Sequence, residues 1–154
     1  VQVGDAIGGY QESKFFEPGD EIVLAKTPFG NIGLMVCYDL RFPELSLSLR
    51  NRGANILTAP AAFTYTTGEM HWQLLLQARA MDSQCQVLGA AQQGWHGEKR
   101  QTWGHTAATN SRGQILEIVN QEGAQLITAP FDLEQQLKVR ESMPLMQHRK
   151  LIQY

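Results

Sequence analysis

Cys37 stands at the end of an apolar run, "NIGLMVC", and the residues that follow, "YDLRFPEL", supply Asp39, Arg41 and Glu44. A thiol wanted for packing alone would sit inside the run. One placed where a strand stops, ahead of a charged turn that contains a proline, is suited to nucleophilic attack. Attack requires the thiolate, so a base or a cation must lie close by. It also requires donors for the developing oxyanion, and the backbone N–H of Tyr38 is placed to be one. Strand ends of parallel α/β sheets open onto the ligand crevice, which suits this location. Position alone leaves a buried core cysteine as the alternative. Arg41 likewise has two readings: a bidentate partner for a substrate carboxylate, or an ion pair with Asp39 or Glu44 inside the turn. Cys85, between Gln84 and Gln86 at a helix–strand junction, is expected to pack.

The elements that would position Cys37 read as α/β. "EIVLAKT" and "IGLMV" are strands joined by a tight turn, "PFGN". Pro43 opens a helix over "ELSLSLRNR", which Gly53 stops. Leu45, Leu47 and Leu49 alternate rather than following helical spacing, so this helix is expected to be buried on more than one side. "NILTAP" is the next strand, and "AAFTYTTGE" a loop. "MHWQLLLQARAMDSQ" is a long helix whose periodic face carries Leu74, Leu75, Ala78, Met81 and Asp82. "QVLGAAQQG" is a strand, and "TAATNSRGQILEIV" a hairpin turning at "NSRG". "QLITAPF" is a last strand and "DLEQQLKVRES" a last helix, with Asp132 as its N-cap. Residues 1–20 are polar and glycine-rich, with a turn at "EPGD". Strand–helix alternation followed by a hairpin indicates helices packed on a sheet. Helices mainly on one face leave the other face to be covered by further chain or a second molecule.

The 154 residues suffice for one domain and one core, and a net charge of −2 with no basic block gives no support for nucleic acid or an anionic membrane as partner. No stretch reaches the roughly 18–20 apolar residues of a membrane span. The first residues lack the features of a signal peptide. Two cysteines make no disulfide framework, which favours a reducing cytoplasm, and neither they nor the four scattered histidines have the spacing of a zinc site.

"GLMVCYDLRFPEL" resembles the nucleophile segment of the nitrilase superfamily of carbon–nitrogen hydrolases. The resemblance continues through "YQES", "PGDE", "TPFGNIG", "GANILTAPAAF", "TGEMHW", "QARAMDSQCQVLGAAQQG", "WGHT" and "MPLMQHRK", and so covers nearly the whole chain. "QARAMDSQCQV", "GEKRQTWGHT" and "QHRK" are most similar to the deaminated glutathione amidase branch.

This resemblance implies a catalytic set of Glu, Lys and Cys, in which Cys37 matches the nucleophile and the Tyr38 amide an oxyanion donor. Glu12 of "YQES" matches an accessory catalytic glutamate; its other reading is an exposed loop carboxylate. Arg41, Phe63 and Thr67 match positions that line the substrate pocket. His71 and Trp72 are expected to be structural, and His105 a packing histidine. The resemblance implies the C-terminal part of an α-β-β-α four-layer sandwich. It implies no metal or organic cofactor, a small-molecule amide substrate and a homodimer or larger homo-oligomer. The lysine and the general-base glutamate of the set have no counterpart here, since neither Lys14 nor Lys26 has the right context. The chain is therefore expected to be one carbon–nitrogen hydrolase domain lacking its N-terminal part, and inactive and self-associating by itself. A related amidase for a 2-oxo acid amide or an N-carbamoyl amine, or a non-catalytic binding protein, are the competing readings.

Overall fold

The computed structural model describes residues 2–5, 8–119 and 121–150, with side chains from residue 13 onward. Strands β1 (Gln2–Asp5) and β2 (Gly8–Gln11) pair antiparallel at the start of the chain, a hairpin the glycine-rich composition did not signal. The expected hairpin follows, β3 (Leu24–Thr27) with β4 (Gly30–Leu34), turning at Pro28 and Phe29. Helix α1 (Pro43–Asn51) begins with proline at its first position, where the missing N–H costs no hydrogen bond. Leu49 is buried while Leu45 and Leu47 are half-buried, so all three alternating leucines are at least partly covered.

Strand β5 (Ile56–Thr58) lies parallel to β4, with Ile32 beside Ile56, and after α2 (Tyr65–Ser83) strand β6 (Gln86–Gly89) lies parallel to β5. A separate hairpin, β7 (Gln93–His96) with β8 (Arg100–Trp103), precedes β9 (Ala107–Thr109) and β10 (Ile115–Ile118). The main sheet runs β10-β9-β6-β5-β4-β3, with a parallel centre and antiparallel edges. Helices α3 (Leu133–Ser142) and α4 (Leu145–His148) end the described chain.

Three expectations are corrected. Helix α2 begins at Tyr65, five residues before the "MHW" start, so Thr67 belongs to a helix and not to a loop. Its buried face is Gly68, Trp72, Leu76, Arg79, Ala80 and Ser83, whereas Leu74 and Met81 are 66% and 50% exposed. Three consecutive leucines, 74–76, offer a helix two apolar faces, and packing chose the one that carries Trp72. Finally, "QLITAPF" forms no strand: it runs as irregular backbone, and its Pro130 carbonyl accepts from Gln86 Nε2 at 3.0 Å.

Leu57, Val87, Gly33 and Gly89 face the helices. A Cβ on Gly89 would stand 2.7 Å from the Trp72 ring and 2.9 Å from Leu76, so only glycine lets α2 approach this closely. The opposite face carries Leu34, which is 44% exposed. Asp132 caps α3 by accepting from the Gln135 N–H at 2.9 Å, as its position suggested. Gln136 on that helix exchanges hydrogen bonds with Asn55, and Arg140 donates to the carbonyls of Ala54 and Gln84. These contacts close the end of the sheet where β5 and β6 begin. The C-terminal ends of β4, β5 and β6 are left to loops.

Candidate active site

The backbone pairing of β4 with β5 continues past both strands: the Met35 N–H donates to Thr58 O at 3.0 Å and the Cys37 N–H to Pro60 O at 2.9 Å. Cys37 is thereby fixed at the open end of the sheet. It begins a 3-10 turn, Cys37–Arg41, which Asp39 holds at both levels. The Asp39 carboxylate accepts from the Val36 N–H at 2.9 Å, and the Asp39 N–H donates to Val36 O at 2.9 Å. Cys37 itself has φ +47°, a left-handed conformation that costs a residue with a Cβ about 1–2 kcal/mol. The chain accepts that strain at the half-exposed thiol. Among the described residues no backbone partner accepts the Tyr38 N–H, which leaves it available to an oxyanion.

Arg41 ends the same turn. No carboxylate lies within 4.0 Å of its guanidinium among the described residues, so neither Asp39 nor Glu44 neutralises it. Its Cζ instead lies 5.4 Å from the centroid of the Tyr38 ring and 5.4 Å from that of Phe63, positions that attract a cation through the ring quadrupoles. Nη1 and Nη2 both donate to His71 Nδ1 over 3.4 Å, and the buried Nε has no partner among the described residues.

Phe63, from the loop after β5, is buried and meets Trp72 edge-on at 5.3 Å. Its carbonyl accepts from the Trp103 N–H at 3.0 Å, so the β7–β8 hairpin fixes this wall from behind. Thr67 lies half-buried in the first turn of α2, four residues before His71 and so on the same side of the helix.

The structure thus brings Cys37, Tyr38, Arg41 and Phe63 to one end of the sheet, with Thr67 on the bordering helix. Glu12 opens a short 3-10 turn, Glu12–Lys14, but its side chain lies outside the described residues. His105 is the expected packing histidine: it stacks on Trp103 at 4.0 Å, and its Nδ1–H donates to Trp103 O at 2.9 Å. Cys85 is fully buried and its Sγ–H donates to Ala54 O at 3.2 Å. Burial pushes its thiol pKa up, against the opposing influence of Arg140, so it is a poor nucleophile. His71, expected from the sequence to be structural, meets the Arg41 guanidinium, and Trp103 was not singled out in the sequence at all. His71 lies 30 residues from Arg41, and no spacing signal links the two.

Electrostatically the site pairs a thiol on a strained turn with a guanidinium that has no counter-ion among the described residues, set among aromatic rings. That combination suits acyl transfer from a substrate bearing a negative charge. No group of His, Cys, Asp and Glu able to hold a metal ion occurs among the described residues, and no described helix is long and apolar enough to cross a membrane.

A family model described as carbon-nitrogen hydrolase matches residues 6–141. The chain is 43% identical over 152 residues to a deaminated glutathione amidase of Yersinia enterocolitica, an alignment covering 99% of this chain and 53% of that protein. The fold superposes on the crystal structure of the C. elegans NitFhit protein with a TM-score of 0.86 and 39% identity, covering 97% of this chain and 37% of that one. It superposes on Saccharomyces cerevisiae Nit3, a member of branch 10 of the nitrilase superfamily, with a TM-score of 0.83 and 31% identity, covering 96% of this chain and 56% of that one. The chain spans about half the length of the curated relative it matches.

Proposed function

This chain belongs to the carbon–nitrogen hydrolase family, and we propose that in the full-length protein Cys37 is the nucleophile of an amidase that cleaves deaminated glutathione to 2-oxoglutarate and cysteinylglycine. The Cys37 thiolate attacks the amide carbonyl, and the Tyr38 N–H donates to the oxyanion of the tetrahedral intermediate. An oxyanion donor of this kind contributes roughly 3–4 kcal/mol. Collapse releases cysteinylglycine and leaves a thioester on Cys37, which water hydrolyses to 2-oxoglutarate. Glu12 assists as the accessory carboxylate, and the lysine and general base of the set come from outside residues 1–154. Two thiols with no disulfide between them support a reducing, cytoplasmic setting. There the reaction would serve metabolite repair. A homodimer or larger assembly is part of the same proposal.

The observation that carries the substrate class is Arg41, a guanidinium with no carboxylate within 4.0 Å among the described residues, four residues after the nucleophile on its own turn. It would take the carboxylate of the 2-oxo acid end, with Phe63 and Thr67 bordering the carbon chain. The name borne by the Yersinia enterocolitica relative supports the same substrate. Arg41→Lys keeps the charge but loses the planar fork. In the full-length enzyme it should raise KM for deaminated glutathione about tenfold or more while moving KM for a neutral amide of similar length far less. Equal losses on both substrates would refute the assignment.

A further inference from the structure

We infer that His71 is a positioning residue for Arg41, and that it sets the preference for an anionic substrate without touching the substrate itself. This rests on the reading of Arg41 given above. A guanidinium only donates hydrogen bonds, so the contact from Nη1 and Nη2 to His71 Nδ1 requires an Nδ1 that carries no proton. In this proposal His71 therefore accepts at Nδ1 and carries its ring proton on Nε2. A neutral acceptor does something a carboxylate could not: it fixes the fork without cancelling its charge. Had an aspartate or glutamate stood here, the ion pair would have consumed the charge a substrate needs.

The remaining contacts of Arg41 are consistent with a fork held for an external partner. Tyr38 and Phe63 confine the guanidinium, and neither ring neutralises it. Its Nε is buried with no acceptor among the described residues. The two N–H bonds spent on His71 run over 3.4 Å, longer than a strong hydrogen bond, so they orient the group more than they bind it. His71 is in turn set by α2, whose next residue, Trp72, is buried, meets Phe63 edge-on and donates from Nε1 to His105 O at 2.7 Å. The helix thus fixes the acceptor and the aromatic wall together.

The test uses the full-length protein, a 2-oxo acid amide bearing a carboxylate and a neutral amide of equal length. His71→Leu removes the acceptor at similar bulk, and His71→Asn returns an oxygen near the place of Nδ1. His71→Leu should raise KM for the carboxylate substrate about tenfold, with kcat and the neutral substrate's KM changed less than twofold, and His71→Asn should recover most of the loss. Wild-type selectivity in His71→Leu, or equal losses on both substrates that Asn does not repair, would overturn the inference. Arg41→Lys run alongside separates the two levels of the argument. If it loses selectivity and His71→Leu does not, only the role of His71 falls; if it loses both substrates equally, the reading of Arg41 falls and takes His71 with it.

Discussion

Replacing Cys37 by glycine should stabilise the fold relative to replacing it by alanine, although both variants lose the nucleophile. The reason lies in the backbone. At φ +47° a residue with a Cβ bears about 1–2 kcal/mol of steric cost that glycine escapes. Against this, glycine loses more conformational freedom on folding, about 0.5–1 kcal/mol relative to alanine. The thiol and its packing against the core are removed in both variants, so they cancel in the comparison. The Cys37 N–H remains available to Pro60 O in both. The difference leaves glycine ahead by up to about 1.5 kcal/mol, with a midpoint near ~0.8 kcal/mol, equivalent to roughly 2–3 °C in Tm at the midpoint for a chain of this order of size. Urea denaturation of the full-length variants, with m values checked for equality, measures it directly. An alanine variant more stable than the glycine variant by about 0.5–1 kcal/mol, the entropy cost of glycine alone, would show that the turn is unstrained and that the thiol is not presented by a forced conformation.

Two further outcomes follow from the packing around the site. Limiting iodoacetamide followed by peptide mapping should label Cys37 well before Cys85, because Cys85 is fully buried and burial pushes its thiol up; preferential labelling of Cys85 would overturn the nucleophile assignment. Gly68→Ala would place a Cβ 2.2 Å from Trp103 Cβ, so α2 or the β7–β8 hairpin must shift, at a cost of about 1–3 kcal/mol. Because the Trp103 N–H holds the Phe63 carbonyl, turnover should fall in the fraction that remains folded, and full activity at wild-type Tm would refute that link.

What the residues determine by themselves is local. The polarity change at Cys37, Pro43 at a helix start, the "NSRG" turn and Asp132 as a cap each depend on a few neighbouring residues, and each is found where the sequence places it. Resemblance to a known family added Phe63 and Thr67 as expected pocket positions, which spacing could not supply. The face that α2 buries was not legible, since leucines 74–76 allow either side and the choice fell to a fit between Gly68 and Trp103 and between Trp72, Leu76 and Gly89. The β7–β8 hairpin was missed because "QGWH" and "RQTW" are polar and lack strict alternation; its pairing is made in the fold, with Trp103 bonded to Phe63. "QLITAPF" has the composition of a strand but finds no partner edge among the described residues, and strand pairing is a property of two segments rather than one. Arg41 had two readings in the sequence, a bidentate partner for a substrate carboxylate or an ion pair with Asp39 or Glu44 in the turn. Only the tertiary structure shows that the ion pair does not form among the described residues, because Asp39 turns to the Val36 amide and His71, 30 residues away in sequence, meets the guanidinium instead.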